Sequence, residues 1–419
     1  MSRQKLLLVA YHFPPIQGST GTSRTVAFSK YLRDFGWEVC VLTINASAYE
    51  FISKENESLV PKYVRVHRAW GLDALRNLSV FGKYPLFLAL PDRWQSWIVG
   101  AIFRGSAIIR DWRPDVIMTT YPIPSAHVIG WILSKKFNVP WVAEFRDPML
   151  QSDYPAGRWK RWAFEKIENI IFSNAKEIVV TTDSCRKMYL ERYPRWKVSH
   201  ITTVSNGFDP SLFGENIKRK GKVRAISRSN TLVLLHSGLL YPSERNPSHF
   251  FHAVRFLLDD GFFQTIDVEF RFRASGNEER YIKEVDELGI GSYIRFLPQI
   301  PYTKAIEEMT TADALMIFQA SNCNSQIPAK VYEYMICQRP IFALTDIEGE
   351  TGRLLRSVGV ESIASLDKSD EIKTQLRLFL RQLQKGETFV VAPKQALKFS
   401  RASLTGEMST VLERAIAES

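Results

Sequence analysis

The fold is constrained most by one pattern that recurs along the whole chain, a buried-type strand followed by a turn, a helix and another strand. Within residues 5–43, an apolar strand leads through Gly18 and Gly21 into a helical pattern and a second strand. The same unit recurs at 115–145 and again from residue 231 onward. Such βαβ units build parallel sheets with helices on both faces. The turn at Gly18 is not a dinucleotide-type GxGxxG, but two glycines there let the backbone approach a ligand closely.

A chain of 419 residues is too long for one hydrophobic core, so we expect two domains. Asn-Gly followed by Asp-Pro at 206–210 is a strong turn signal, and a basic stretch at 218–222 comes after it. These signals predict an α/β chain of two Rossmann-like, doubly wound domains that face a cleft. The expected domains cover 1–210 and 211–395, and a C-terminal helix within 396–419 is expected to pack back on the first domain.

Composition is that of a globular protein, with 45% hydrophobic and 24% charged residues. No apolar run reaches the roughly 18 residues of a membrane-spanning helix. The four cysteines (Cys40, Cys185, Cys323, Cys337) lack metal-type spacing, which indicates reduced thiols in a cytosolic protein. The net charge of +11 favours an acidic partner: nucleic acid, an anionic membrane surface or a phosphorylated substrate. Nucleic acid is the least favoured partner, because the basic residues are scattered and the sequence contains no recognisable nucleic-acid-binding module.

Polar side chains follow two predicted strands of the first half, where open parallel sheets bind ligands. Glu144, Arg146 and Asp147 come directly after one strand. His127 falls in the first turn of the helix after another strand if Ser125 caps that helix. Two interpretations remain: a binding or catalytic site, or a structural histidine beside a salt-bridge cluster.

In the second half, the stretch 326–335 is the strongest candidate for a phosphate site. Pro328 suits the first position of a helix, and Lys330 and Glu333 share one helical face. Ile327 before it is a poor N-cap, which leaves N–H groups for a ligand beside a lysine. Arg245, ahead of an earlier helix, could grip phosphate as well. The alternative is a surface helix with a Lys–Glu pair and a buried apolar stripe.

Two segments interleave basic residues with aromatic ones. Residues 77–113 are rich in Trp, Phe and Ile broken by arginines, and 157–172 contain Arg-Trp-Lys-Arg-Trp. This composition suits a membrane interface with anionic lipid, and it also suits ordinary domain packing.

Taken in order, these motifs resemble those of bacterial GT-B glycosyltransferases of the large retaining family 4. The resemblance is carried by Tyr-His-Phe-Pro-Pro at 11–15, Glu-Phe-Arg-Asp-Pro at 144–148, Asn-Gly-Phe-Asp at 206–209, the segment 236–245 and the segment 327–344.

For the second domain, the resemblance implies a nucleotide-diphosphate sugar donor, UDP- or GDP-linked. Arg245 and Lys330 would hold the diphosphate and stabilise its developing charge, and Glu333 would bind the ribose hydroxyls. Gly238 and Pro328 would belong to the same site. No metal and no further cofactor are expected, because two cations and a helix N-terminus can stabilise the leaving group.

For the first domain, the resemblance implies a saccharide or lipid-linked saccharide acceptor, and transfer with retention in cell-surface polysaccharide biosynthesis, such as lipopolysaccharide or capsule. The expected acceptor residues are Gly18, Gly21, Arg24, Glu144, Arg146, Asp147 and His127, the last two as catalytic or positioning groups. The expected location is the cytoplasm, on the inner face of the membrane. A sugar-nucleotide epimerase on the same fold and a non-catalytic membrane-associated scaffold remain alternatives.

The chain departs from the family pattern at three positions. Ser325 stands where the first of two donor-site glutamates is common, Leu239 replaces an arginine after the donor-domain glycine, and Gln338 replaces a helix-closing glycine. The sequence therefore indicates a nucleotide diphosphate better than any particular sugar.

Overall fold

The computed structural model describes residues 3–17, 20–214 and 231–418, without the side chains of Thr20 and Lys54. The expected site residue Gly18 and the basic stretch 218–222 lie outside the described residues. The chain divides into two compact units. Unit 1 comprises residues 1–205 and 401–419, and unit 2 comprises residues 206–400.

Unit 1 is built on a parallel sheet with the strand order β3-β2-β1-β4-β5-β6-β7. Its strands are β1 Gln4–Val9, β2 Trp37–Ile44, β3 Arg65–Ala69, β4 Val116–Thr120, β5 Trp141–Phe145, β6 Glu177–Val180 and β7 Ile201–Thr203. The central strands β1, β4 and β5 carry apolar residues on both faces, as expected of a sheet that helices cover on both sides.

The helices of unit 1 form two layers. The chain supplies α1 Thr20–Tyr31, α2 Lys54–Ser58, α3 Ala74–Asn77, α4 Ser96–Trp112, α5 Pro124–Phe137, α6 Arg158–Asn174, α7 Asp183–Arg192 and, from the C-terminus, α15 Arg401–Ala417. Helix α5 packs between α4 and α6, whereas α15 packs against α1. The Trp37 indole N–H donates to the Ser409 hydroxyl at 2.9 Å, which fastens α15 to β2.

Unit 2 repeats the plan with a second parallel sheet in the order β10-β9-β8-β11-β12-β13. Its strands are β8 Leu232–Ser237, β9 Val268–Arg273, β10 Ile294–Leu297, β11 Ala314–Phe318, β12 Ile341–Leu344 and β13 Ile363–Ala364. Its helices are α8 Ser248–Asp259, α9 Glu278–Glu287, α10 Tyr302–Thr311, α11 Ala329–Ile336, α12 Glu350–Ser357, α13 Ser369–Lys385 and α14 Pro393–Ala396.

In both sheets the strand order reverses beside the first strand, between β1 and β4 in unit 1 and between β8 and β11 in unit 2. The crevice outside the carboxyl ends of such strands is the usual ligand site of open α/β sheets. The segments after β1, β4, β8 and β11 are therefore the places to look for bound substrates.

The predicted α/β class and the two Rossmann-like sheets are confirmed. Gly36 ends the first helical segment in the left-handed conformation, with φ of +85°. The predicted cap at Ser125 is wrong, because α5 begins one residue earlier at Pro124 and Ile123 occupies the N-cap. Pro124 is pre-organised for the first helical position, so the helix needs no hydroxyl cap there.

Candidate donor and acceptor sites

Two charged residues that are expected to bind the donor lie together at the start of α11. The Lys330 ammonium lies 2.7 Å from one carboxylate oxygen of Glu333, one helical turn away. The Tyr302 hydroxyl, at the start of α10, donates to the other oxygen at 2.8 Å. The helix begins at Ala329 and has no side-chain cap, so the predicted first helical position of Pro328 is wrong by one residue and Pro328 occupies the N-cap. Because the first N–H groups of a helix have no intrahelical acceptor, the start of α11 beside a lysine is an arrangement that can bind an anion.

The end of β8 lies against the same helix. The Tyr334 hydroxyl accepts a hydrogen bond from the Ser237 N–H at 2.8 Å, which ties α11 to the strand. Gly238 follows with φ of +146°, a conformation that side chains rarely tolerate. The backbone after β8 is therefore open for a ligand to approach.

Arg245 reaches back over the segment after β8, where its guanidinium donates to the Leu239 carbonyl at 3.3 Å. It also lies over the Tyr241 ring at 5.4 Å. Burial, together with the nearby cations Arg245 and Lys330, lowers the pKa of His236 to about 4. Both expected phosphate-binding cations thus act on one buried ring at the end of β8.

Sequence reasoning missed Gln319, which directly follows β11. Its side-chain amide donates to the carbonyls of Cys323 and Gln326 at 2.8 and 2.9 Å, holding the loop that leads to α11. Its position beyond a strand end at the switch point could have identified it. Tyr302 was missed as well, because nothing in the local sequence marks its long-range partner Glu333.

The departures from the family pattern have visible consequences. Gln338 adopts φ of +54°, so this corner does take the left-handed conformation that glycine would adopt without strain. Ser325 and Leu239 are both exposed near the donor residues.

In unit 1, a small pocket opens at the switch point between β1 and β4. It is lined by Tyr11, His12, Thr25, Thr120, Tyr121, Pro122, Ile123 and Arg146. The lining combines aromatic rings, hydroxyls and one guanidinium, a mixture suited to a hydroxyl-rich ligand. Of the residues expected to bind the acceptor, Arg146 lines this pocket directly.

Arg24 and Glu144 form a buried ion pair below this edge of the sheet. The Arg24 Nε lies 2.6 Å from a carboxylate oxygen of Glu144. The other guanidinium nitrogens donate to the carbonyls of Ser205 and Val204 at 2.5 and 2.8 Å. These bonds connect α1 to β5 and to the segment after β7. The ion pair therefore stabilises this edge of the sheet from the interior of unit 1.

Gly21 lies against the Arg146 guanidinium at very close range. A Cβ atom on Gly21 would come within 1.9 Å of Arg146 Nη1 and within 3.0 Å of His12 Nδ1. Burial, together with the Arg146 charge, lowers the pKa of His12 to about 4. Glycine at this position therefore lets Arg146 and a neutral His12 share the edge of the pocket.

Asp147 and His127 occupy different surroundings. Burial raises the pKa of Asp147, and the neighbouring Arg146 only partly counteracts this. His127 has no exposed surface, and its Nδ1 pairs with the Thr119 hydroxyl at 2.7 Å. Its ring packs near Tyr121 and Phe145, and burial lowers its pKa to about 3. His127 is thus a neutral core residue beneath the pocket.

One carboxylate and histidine cluster in the described part of the chain has metal-like spacing: Glu177, His200 and Glu418. Arg414 already contacts both carboxylate oxygens of Glu177, at 3.3 and 2.9 Å. The cluster lies where α15 packs on β6, away from both sites, and its chemistry is that of an ion-pair network.

Comparison with known protein families connects this geometry to an activity. Residues 20–207 match the family described as a glycosyl transferase 4-like domain. The chain carries a glycosyl transferase 4-like domain. The sequence-based resemblance to family 4 and the expected enzyme class, a glycosyltransferase, are thereby confirmed. A search of curated protein sequences finds no match for the chain.

Solved structures share the fold of this glycosyltransferase at low sequence identity. Sucrose-phosphate synthase from Thermosynechococcus elongatus is 15% identical, with a TM-score of 0.67 and full coverage of both chains. HepE from Anabaena in complex with UDP is 15% identical, with a TM-score of 0.66 over 98% of this chain and 99% of that one. A glycosyltransferase from Rickettsia africae is 13% identical, with a TM-score of 0.69 and full coverage of both.

The UDP-GlcNAc 2-epimerase from Methanocaldococcus jannaschii has the same fold with a lower TM-score, 0.54, at 11% identity, over 98% of this chain and 99% of that one. The fold is therefore shared by enzymes of more than one class. Among the described residues, no helix combines the length and the apolar character needed to cross a membrane.

Proposed function

We propose that this glycosyltransferase moves a sugar, with retention, from a nucleotide-diphosphate sugar bound by unit 2 to a saccharide or lipid-linked saccharide bound by unit 1. The expected setting is cell-surface polysaccharide biosynthesis. The observation that carries the proposal is the start of α11, where Lys330 and Tyr302 hold the Glu333 carboxylate beside an uncapped helix N-terminus.

The groups of unit 2 suit two parts of a nucleoside diphosphate, the diphosphate and the ribose. The phosphate oxygens can be bound by Lys330, by Arg245 and by the N–H groups at the start of α11. The Glu333 carboxylate is oriented by two partners and can accept hydrogen bonds from ribose hydroxyls. Gly238 leaves room for the diphosphate to lie against the backbone after β8.

The transfer needs little acid–base chemistry from the protein. The bond between the anomeric carbon and the diphosphate oxygen breaks, and the acceptor hydroxyl oxygen bonds to that carbon. The hydroxyl proton passes to the departing diphosphate, whose developing charge the two cations and the helix N-terminus stabilise. This scheme gives no proton-transfer role to His127, which is buried, and assigns Asp147 to positioning the acceptor.

For the acceptor, the pocket at the β1–β4 switch point is the proposed site. Arg146 with Asp147 would orient a hydroxyl group, and Gly21 makes space for Arg146. Arg24 and Glu144 support this edge from below through their buried pair.

For the donor, uracil nucleotides are the first to test. HepE, which shares the fold, has been crystallised with UDP and with UDP-glucose. A thermal-shift panel of UDP- and GDP-linked sugars with the purified full chain tests the proposal. We expect one nucleotide sugar to raise the melting temperature, and Arg245→Ala to abolish that rise without changing the melting of the free protein.

Arg255→Ala is the matched control, because Arg255 is a surface arginine of unit 2 that pairs with Asp259 on α8. It should keep the full ligand-induced shift. Stabilisation by none of the nucleotides or nucleotide sugars would contradict the proposal.

An epimerase is the second candidate, favoured by the shared fold of the Methanocaldococcus jannaschii enzyme. Incubating the donor without acceptor separates the two functions. An epimerase would convert the donor sugar by itself, whereas the proposed transferase leaves the sugar configuration unchanged and requires an acceptor for product formation.

A further inference from the structure

Phe81 stands at the tip of a tight turn and is 99% exposed. The turn is closed on both sides, since the Val80 N–H donates to the Lys83 carbonyl at 2.9 Å and the Lys83 N–H donates to the Val80 carbonyl at 3.0 Å. Phe81 and Gly82 between them have φ of +50° and +72°. This is the geometry of a two-residue hairpin turn with both central residues left-handed.

Phenylalanine is an unfavourable choice for this position. Left-handed turn positions favour Asn, Asp or Gly, and a bulky residue there costs on the order of 1 kcal/mol. A side chain with 99% exposure recovers none of that cost through packing within the chain. Packing within the described part of unit 1 therefore does not account for a phenylalanine at this position.

Phe81 is part of a larger apolar surface on unit 1. We define the aromatic face by the exposed side chains of Phe81, Phe87, Trp159 and Trp162. Trp159 and Trp162 lie three residues apart on the solvent side of α6. The two segments adjoin the same helix, because Asp92 at the end of the first segment accepts a hydrogen bond from the Ser125 N–H of α5 at 2.8 Å and α6 packs against α5.

Cationic side chains outnumber acidic ones around the aromatic face, although Asp153 and Glu165 beside the second segment are exposed and Glu165 pairs with Arg161 at 3.6 Å. Residues 74–91 contain Arg76 and Lys83 and no acidic residue, and 154–162 contain Arg158, Lys160 and Arg161 and no acidic residue. The acids that flank the first segment, Asp73 and Asp92, are buried. Aromatic rings between cations match the headgroup region of a bilayer that contains anionic lipid.

Both segments of the face also touch the pocket of unit 1. Trp94, just after the first segment, packs on Tyr11 with ring centroids 4.5 Å apart. Burial raises the pKa of Tyr121, and the neighbouring Tyr154 at the head of the second segment raises it further. Tyr11 and Tyr121 line the pocket. Residues next to both parts of the aromatic face thus adjoin the lining of the pocket.

We propose that the aromatic face docks unit 1 on an anionic bilayer, with the turn at Phe81 and the start of α6 as two points of insertion. The docked chain would present its pocket at the lipid headgroups. The further conclusion that this selects an acceptor carried by a lipid rests on the proposed function, whereas the docking itself does not.

Vesicle sedimentation with the full chain tests the docking. The probes are vesicles of phosphatidylcholine alone and of phosphatidylcholine with phosphatidylglycerol. We expect binding to the anionic vesicles that weakens with salt. Phe81→Ser with Phe87→Ser should weaken this binding about tenfold or more, because two exposed rings no longer insert. Trp159→Ala with Trp162→Ala should weaken it similarly.

Phe256→Ser is the matched control, because Phe256 is an exposed phenylalanine of unit 2 on α8. It should bind vesicles like the unchanged chain. Absence of binding to anionic vesicles, or binding that the four face substitutions leave intact, would overturn the proposal. Face substitutions that abolish self-association of the chain but leave vesicle binding unchanged would assign the face to a second protein copy instead.

The donor-site test is independent of this result. The face variants should keep the melting-temperature rise caused by a nucleotide sugar, because their substitutions lie in unit 1. Loss of vesicle binding with an intact nucleotide response therefore reports on docking, and loss of the nucleotide response reports on the proposed function.

Discussion

The Lys330 ammonium and the Glu333 carboxylate lie 2.7 Å apart across one turn of α11, and Tyr302 holds the carboxylate oxygen that Lys330 leaves open. This arrangement orients the carboxylate before any ligand binds, and Lys330 remains partly exposed. A preformed acceptor of hydrogen bonds beside a cation is what a ribose and a diphosphate require together.

Removing the Glu333 charge should weaken nucleotide binding. We expect Glu333→Gln to raise the Kd for the nucleoside diphosphate by about 10- to 100-fold, since hydrogen bonds to a charged group contribute roughly 1.5 to 3 kcal/mol. Fluorescence or calorimetric titration measures the change. Glu307→Gln is the control, because Glu307 forms a comparable 2.8 Å pair with Lys304 on the exposed side of α10. An unchanged Kd in Glu333→Gln would remove Glu333 from the donor site.

Removing Arg24 should act mainly on stability. Arg24→Ala leaves Glu144 buried without its cation and leaves two carbonyls unpaired, so we expect the free energy of unfolding to fall by about 3 to 5 kcal/mol. Urea denaturation measures the loss. Ser23→Ala, at an exposed position of the same helix, should change it little. A stable Arg24→Ala protein with lost transfer activity would instead assign Arg24 to substrate binding.

A methyl group on Gly21 should disturb the acceptor site alone. In Gly21→Ala the new Cβ would stand 1.9 Å from Arg146 Nη1, so the guanidinium must move. We expect sugar transfer to fall by about tenfold or more, because small displacements of a positioning group are costly. The donor-induced melting shift should stay unchanged. Equal transfer by wild type and Gly21→Ala would show that the position of Arg146 does not matter.

His127 should make stability depend on pH in a defined direction. Its pKa is about 3 in the folded chain and near 6.5 when unfolded, so the unfolded state binds the extra proton between these values. The contribution of His127 is fully present above pH 6.5 and falls by about 1.4 kcal/mol per pH unit below it. In His127→Gln no histidine is present at this position, so this loss of stability at low pH does not occur. The difference in unfolding free energy between wild type and variant should therefore become smaller from pH 7 to pH 5. A pH-independent difference would mean that His127 is not buried as a neutral ring.

The fold could be predicted because its signals are local. Apolar runs, turn glycines and helical periodicity identified most strands and helices, and Gly36 marked a helix end that the structure places in the left-handed conformation. The two-residue strand β13 and the edge strand β3 were not predicted, because short or half-exposed strands have a weak hydrophobic pattern.

The site was harder to predict because its decisive contacts are long-range. Lys330 and Glu333 are neighbours on one helix and could be paired from spacing. Tyr302 comes from the helix before, and its bond to Glu333 depends on how α10 and α11 pack on the sheet. Arg24 and Glu144 were predicted as separate acceptor-binding residues, and only the structure shows that they form a buried ion pair inside unit 1.

The central claim is that unit 2 binds the nucleoside diphosphate of a sugar donor at the start of α11. Isothermal titration of the full chain with UDP and with GDP measures this directly. The account predicts saturable binding of one of them, weakened at least about tenfold in Lys330→Ala and unchanged in the control Lys304→Ala. Absence of binding by either nucleotide, or equal affinity in wild type and Lys330→Ala, would contradict it.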